Sequence, residues 1–134
     1  MERLALQEGD VLLTTRTTNL RAVVAQNVPP QTVASAQFAV LRPRPEHVDS
    51  RYLAWFLNRA DARGRLRALL KGSSIPFLPV TDLATFEITL PNLERQRSLA
   101  RVLELRQRDA ELRQRLDKAL DVLMDAASRT SSTD

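Results

Sequence analysis

Three cations spaced four residues apart are the side chains in this sequence best suited to binding an anion. On a helix, Arg63, Arg67 and Lys71 share one face, because each residue adds about 100° of rotation. The polar loop Gly72-Ser73-Ser74 follows, and its backbone amides can also meet a phosphate. No acidic residue occurs between Ala62 and Thr81. The pattern predicts a DNA-binding surface, with an ordinary solvated helix face as the alternative; its residues are Arg63, Arg67, Lys71, Gly72, Ser73 and Ser74.

Catalytic chemistry is hard to build from the remaining residues. The chain has no cysteine and a single histidine, His47, which follows Pro45 closely and is expected in an exposed loop. One histidine cannot form a two-histidine metal site. Asp82 and Glu87 come nearest to a nuclease carboxylate pair, but the segment Glu87-Ile88-Thr89 lacks the lysine that such a site needs. We therefore expect no enzyme activity, no metal and no cofactor, with a small metal-dependent nuclease as a minor alternative.

Arginine accounts for 18 of the 20 basic residues. Its planar guanidinium makes bidentate contacts with phosphate, carboxylate and guanine edges, which suits nucleic acid or an acidic partner. GC-rich coding also enriches arginine and stays open as an explanation. No apolar stretch approaches the roughly 20 residues of a membrane span, and the first four residues lack the apolar core of a signal peptide. We expect a cytoplasmic protein that makes no membrane contact.

A β-rich first part and a helical second part must position these residues. Runs of β-prone residues cover 11–15, 21–25 and 37–41. Asp49 or Ser50 can cap a helix whose buried face carries Leu53, Phe56, Leu57 and Ala60. Further along, the pattern predicts a helix over 63–71, a strand over 86–90 and a last helix from an Asn92 cap to about Ala127. The expected fold class is α/β: a small mixed-sheet domain fragment over 1–91, a long C-terminal coiled-coil helix over 92–127 and a disordered tail over 128–134.

The last helix carries a heptad repeat that begins at Val102. Seven of its eight a and d positions are apolar, and the exception, Asp109, is the kind of charged a-position residue that often fixes register. This pattern predicts a helix-mediated dimer, with a surface helix packed on its own domain as the alternative. The expected interface residues are Val102, Leu105, Asp109, Leu112, Leu116, Ala119 and Leu123.

The charges beside this seam favour antiparallel pairing. Arginines occupy the flanking positions only in the amino-terminal half, so a parallel homodimer would set them against each other. Antiparallel pairing centred near residue 114 places them beside the uncharged flanking positions Leu120, Val122 and Ala127 of the partner helix. It also brings the acidic stripe Asp117, Asp121 and Asp125 next to the partner's basic half.

The order of several short motifs resembles the DNA-specificity subunits of type I restriction-modification systems. These motifs are Gly9-Asp10-Val11-Leu12-Leu13, Ser35 to Pro43, Tyr52-Leu53 with Phe56-Leu57, Gly72-Ser73-Ser74-Ile75 and Ile88 to Gln96. The resemblance covers about residues 4 to 127, and its most specific element is the strand that runs into Pro-x-Leu-x-x-Gln. Where the family has a second proline and a glutamate, this chain has Asn92 and Arg95.

The resemblance implies a reader of DNA without catalytic activity, which positions a methyltransferase (modification) subunit and sometimes a restriction subunit on a two-part DNA site. It also implies paired antiparallel helices as the spacer between two recognition domains. The chain resembles the second part of one target-recognition domain plus its helix, so we expect it to obtain its second half by dimerising or by pairing with another subunit. The alternative is a truncated interaction protein that pairs through its helix with a full-length subunit and does not bind DNA.

Overall fold

The computed structural model of the protein describes residues 5–131. The chain divides into two compact units, of which the first ends at Arg97 and the second begins at Ser98. The elements in chain order are β1 (Val11–Thr14), β2 (Ala22–Val24), β3 (Phe38–Leu41), α1 (Ser50–Asn58), α2 (Ala60–Arg67), α3 (Val80–Leu83) and α4 (Leu93–Ser131).

The three strands form one sheet in the order β2-β1-β3. Leu12 on the central strand lies opposite Val23 on one side and Val40 on the other, and both pairings are antiparallel. The three strands predicted over residues 11–15, 21–25 and 37–41 are confirmed to within one residue at either end, and so is the α/β class. In the described part of the chain the sheet is antiparallel throughout rather than mixed in direction, because both of its pairings run that way.

Helix α1 covers one face of the sheet. Its N-cap is Asp49, whose carboxylate accepts the backbone N–H groups of Arg51 and Tyr52 at 2.9 and 3.1 Å. Leu53 and Leu57 are buried against Val11 and Leu13 of β1, as the helical spacing predicted. Ala60 is not part of that face: it is exposed and begins the next helix, because Arg59 adopts an extended backbone and ends α1.

Helix α2 begins earlier and ends earlier than predicted. It starts at Ala60, and after Arg67 the backbone tightens into turns in which Leu69 and Leu70 donate to carbonyls three residues back. Lys71 therefore lies outside the helix. Its backbone pairs instead with Phe77, which satisfies the N–H and C=O groups that a further helical turn would have used.

The predicted strand over residues 86–90 is wrong. That segment follows the short helix α3 and forms no strand. Side chains hold it: the Arg65 guanidinium lies 4.3 Å from the centre of the Phe86 ring and donates to the Glu87 carbonyl at 2.9 Å. This carbonyl thus has a side-chain partner rather than a neighbouring strand.

Helix α4 begins as predicted, because the Asn92 side chain accepts the Arg95 backbone N–H at 2.9 Å. It continues to Ser131, so the prediction of a disordered tail from Ser128 is wrong for residues 128–131. The Arg129–Asp125 ion pair at 2.8 Å supports this last turn. Residues 132–134 of the predicted tail lie outside the described residues.

Candidate nucleic-acid interface

Three loops meet at one end of the sheet. Both strand pairings are antiparallel, so β1 ends where β2 and β3 begin. The buried Thr15, just after β1, donates its backbone N–H to the Gln37 carbonyl at 2.8 Å and accepts the Leu78 N–H at 2.6 Å. We call residues 16–21, 35–37 and 71–77 the loop end of the sheet.

The segment Gly72–Pro76, called the tip loop below, is closed like a hairpin. Lys71 and Phe77 exchange two backbone hydrogen bonds of 2.9 Å. Gly72 has a φ of +98°, and a Cβ there would lie 3.0 Å from the Ile75 carbonyl oxygen, so the turn requires glycine. The predicted residues Gly72, Ser73 and Ser74 are therefore exposed on a tightly closed loop.

The loop after β1 is held by its own polar groups and by α2. The Thr14 hydroxyl accepts the Arg21 backbone N–H at 2.8 Å, and the Leu20 side chain is buried. Arg63 of α2 donates to the Asn19 side-chain oxygen at 2.9 Å. The helix thereby brings its cation to the same end of the sheet as the loop, while Arg16 and Arg21 are exposed there.

The predicted cations do not all share one helix face. Arg63 is half-buried against the loop after β1, and Arg67, one turn later, is exposed. Lys71 lies beyond the helix, and its ammonium is 3.1 Å from the Asp82 carboxylate. The prediction that all three lie on one face of a helix is wrong for Lys71, because α2 ends where the backbone turns to pair with Phe77.

Arg16 and Arg21 were not among the predicted residues. The sequence does carry a signal for them: residues 11–45 contain no aspartate or glutamate but four arginines. This acid-free stretch supplies the loop after β1, and the acid-free stretch 62–81 supplies the tip loop and the part of α2 that follows Asp61. Two segments without negative charge therefore converge at the loop end, which suits it to phosphate groups.

An ion pair between the buried carboxylate of Asp10 and the partly exposed Arg42 joins the chain at the opposite end of the sheet. The buried Asp10 carboxylate accepts Arg42 Nε at 2.8 Å and Nη2 at 2.9 Å, and also the Gln7 backbone N–H at 2.8 Å. Hydrogen bonding to Arg42 lowers the pKa of Asp10 from its ordinary value, despite burial of the carboxylate. The pair therefore has a structural role and lies away from the loop end.

Gln96 joins the first turn of α4 to the start of α1. Its side chain is 1% exposed. Its amide oxygen accepts the Asp49 backbone N–H at 2.9 Å, and its nitrogen donates to the carbonyls of His47 and Pro91 at 3.1 and 2.8 Å. Gln96 belongs to the motif Ile88 to Gln96, but its contacts could not be predicted from the sequence, because Asp49 and His47 lie more than 45 residues away along the chain.

In the described residues, the side chains considered for a metal site or a catalytic site are not brought together. Across residues 5–131, no three histidine, cysteine, aspartate or glutamate side chains are grouped to hold a metal ion. Asp82 pairs with Lys71, and His47 lies in an exposed turn as expected. No helix in the same range is both long and apolar enough to cross a bilayer.

The predicted seam of α4 is uncovered along the second unit. Its large apolar side chains are about half to two-thirds exposed: Val102 51%, Leu105 64%, Leu112 55%, Leu116 58% and Leu123 65%. Ala119 is exposed as well, and Asp109 pairs within the helix with Arg113 at 3.2 Å. A regular apolar stripe of this length exposed to water is typical of a helix that pairs with another helix.

The family model described as the type I restriction modification DNA specificity domain matches residues 2–120. No curated protein matches the sequence significantly.

Proposed function

Because the chain belongs to the family of type I restriction modification DNA specificity domains, we propose that it binds DNA through the loop end of the sheet and positions a DNA methyltransferase subunit there. The observation that carries the proposal is the convergence of two acid-free segments, one with Arg16 and Arg21 and the other with Arg63 and Arg67. DNA recognition is the function of the family, and a cytoplasmic location without a catalytic site of its own accords with it.

The four arginines, of which Arg63 is half-buried, and the tip loop have different parts in this proposal. Arg16, Arg21, Arg63 and Arg67 contact phosphates and set the position of the protein on the duplex. The tip loop, with Gly72, Ser73 and Ser74, approaches the bases or adds backbone contacts to phosphate. Lys71 contributes less to binding, because Asp82 already balances its charge.

The salt dependence of DNA binding tests the four arginines. If each neutralises one phosphate, together they contribute about −3.6 per chain to the slope of log affinity against log salt, at about −0.9 per contact. We expect the fourfold alanine variant of Arg16, Arg21, Arg63 and Arg67 to lose most of that slope and to bind all sequences more weakly. Fluorescence anisotropy with a labelled duplex at several salt concentrations measures both effects.

A charge-matched control separates local contacts from net charge. Alanine substitution of Arg101, Arg106, Arg108 and Arg115 on α4 removes the same charge and should leave most of the slope intact. An unchanged slope in the loop-end variant, or an equal loss in the control, would overturn the assignment. No DNA binding by the wild type at low salt would instead favour the interaction protein, for which the exposed stripe of α4 is the supporting observation.

The charge balance at Lys71 offers a gain-of-binding test. The substitution Asp82→Asn removes the carboxylate 3.1 Å from the Lys71 ammonium and keeps the size of the side chain. One additional phosphate contact should steepen the salt slope by about 0.9. The double variant Asp82→Asn with Lys71→Ala should lose that increase, and a single variant that binds like the wild type would show that Lys71 does not face the duplex.

We also propose that α4 pairs with the α4 helix of a second copy in antiparallel orientation. The exposed seam and the one-ended arginine ring support this proposal. Lysine at both Leu112 and Leu116 should give a monomer in sedimentation analysis, with the first unit still folded. Lysine at Gln107 and Gln114, which lie outside the seam, is the control and should leave the dimer intact.

Crosslinking determines the orientation of the pair. The chain has no cysteine, so single cysteines report cleanly. A mixture of Val102→Cys and Ala126→Cys chains should form the mixed disulfide if pairing is antiparallel and centred near residue 114. Efficient disulfide formation between two Val102→Cys chains would instead indicate parallel pairing. A modification subunit is then expected to bind the assembled pair, which co-purification of the two proteins would test.

A further inference from the structure

The tip loop holds the isoleucine Ile75 out into solvent, between two serines and Pro76. Ile75 is 71% exposed, directly after Ser73 and Ser74. The backbone beneath it is well fixed, because Lys71 and Phe77 exchange two hydrogen bonds and Gly72 turns with a φ of +98°. A closed loop of this kind presents Ile75 in one position, and no group of the described chain covers it.

The loop is anchored beside the proposed phosphate contacts. Leu78, directly after the closing residue Phe77, is 2% exposed, and its N–H donates to the Thr15 carbonyl at 2.6 Å. Arg16 is the next residue after Thr15. The tip loop itself carries no charge: beside Gly72 and Pro76 it has two serine hydroxyls, which can bond to phosphates or to base edges, and the apolar Ile75, which can contact only an apolar group of a base.

We propose that Ile75 reads thymine by contacting its 5-methyl group in the major groove, an inference that rests on the DNA-binding function proposed above. Lys71 and Phe77 are joined by a single antiparallel bridge, so the base of the tip loop is two chain segments wide. A loop of this width enters the major groove, about 12 Å wide, without deforming the duplex, whereas the minor groove, about 6 Å wide, would have to open. In the major groove the thymine methyl is the apolar group that a base edge presents.

Replacing thymine by deoxyuridine tests this contact, because the change removes only the methyl group. The full-length chain first selects bound duplexes from a random-sequence pool, and each thymine of a selected duplex is then replaced in turn. We expect at least one position at which deoxyuridine weakens wild-type binding about fourfold, the equivalent of one buried methyl group. Ile75→Ala should bind the thymine and deoxyuridine duplexes equally well.

Two other variants make the result specific. Val80→Ala removes an equally exposed apolar side chain, 68% exposed, outside the tip loop, and should keep the deoxyuridine penalty. Arg16→Ala should weaken binding to both duplexes and also keep the penalty, because a phosphate contact does not distinguish bases.

The outcomes separate this inference from the function on which it rests. A deoxyuridine penalty that persists in Ile75→Ala, or wild-type binding that is insensitive to every thymine replacement, would overturn the role of Ile75 and leave DNA binding standing. Weaker binding by Ile75→Ala to both duplexes, without any methyl effect, would point to a wedge between base pairs and overturn it as well. Absence of DNA binding by the wild type at low salt would overturn both proposals.

Discussion

Gln96 is the residue whose substitution tests the architecture of the first unit most directly. The side chain is buried and makes three hydrogen bonds, to the Asp49 N–H and to the carbonyls of His47 and Pro91. Gln96→Leu keeps a similar volume and removes all three bonds. At about 1 kcal/mol net for each hydrogen bond, the free energy of unfolding should fall by about 3 kcal/mol.

The single tryptophan makes the measurement local. Trp55 lies in α1, with its ring centre 5.4 Å from that of Tyr52, so its fluorescence reports unfolding of the first unit rather than of α4. Urea titrations at one fixed protein concentration give the free energy of unfolding. Gln107→Leu is the control, because that glutamine is exposed on α4, and its effect should stay within about 0.5 kcal/mol.

Gln96→Glu adds a dependence on pH whose sign follows from the contacts. One carboxylate oxygen can still accept the Asp49 N–H, but the other faces the carbonyls of His47 and Pro91 and can bond to one of them only when protonated. Burial and these acceptors raise the pKa of the new carboxyl above the ordinary glutamate value of about 4.3. The stability lost relative to the wild type should therefore be large at pH 7, shrink as the pH falls through the raised pKa, and stop changing below the ordinary glutamate value of about 4.3.

Three results would refute this reasoning about Gln96. They are a Gln96→Leu variant as stable as the Gln107→Leu control, a stability deficit of Gln96→Glu that does not change with pH, and a deficit that grows as the pH falls. Any of them would mean that the three hydrogen bonds do not hold the first turn of α4 to the start of α1.

Two further predictions concern the glycines Gly64 and Gly72 and the ion pair between Asp10 and Arg42. Gly72→Ala should destabilise the protein by about 1–2 kcal/mol, because a Cβ at a φ of +98° would lie 3.0 Å from the Ile75 carbonyl oxygen. Gly64→Ala, on an open helix face, should stabilise the protein by about 0.5–1 kcal/mol. Thermal unfolding measures both effects, and midpoints that shift in the same direction for the two variants would contradict this prediction. Arg42 lowers the pKa of Asp10, so the stability from their pair is present above the ordinary aspartate pKa of about 3.9 and is lost as the pH falls through the lowered value. Arg42→Ala should therefore lower the urea midpoint at pH 7, with a gap to the wild type that narrows in acid, and equal midpoints at pH 7 would be inconsistent with the pair.

Local sequence signals were sufficient for the strands and for the starts of two helices. The strands have β-prone residues between turn residues, and successive side chains point alternately to the covered face and the open face of the sheet. Asp49 and Asn92 cap helices with bonds to residues two or three positions away. Such bonds depend only on neighbouring residues, so the sequence shows them without knowledge of the rest of the fold.

The parts that the sequence did not predict depend on partners far along the chain. Helix α2 has the composition to continue to Lys71, but the backbone of Lys71 pairs with Phe77, and Leu78 is bonded to Thr15. Residues 86–90 have the alternation of a strand, but Arg65 supplies the contacts that a neighbouring strand would have made. In both places tertiary hydrogen bonds outweigh a local preference worth a fraction of a kcal/mol per residue.

The candidate interface likewise combines features that the sequence shows with features that only the fold decides. The sequence alone shows the spacing of the cations, the Gly72-Ser73-Ser74 loop and the heptad stripe of α4, because each is a pattern of residues close together along the chain. Two arrangements depend on the tertiary structure. Arg16 and Arg21 lie at the same end of the sheet as Arg63, because the strands pair antiparallel and Arg63 donates to Asn19. The Asp82 carboxylate pairs with the Lys71 ammonium and balances its charge. Electrostatic interactions depend on distances in the folded protein rather than on separation along the chain. Only the tertiary structure therefore decides which cations are available to bind a phosphate.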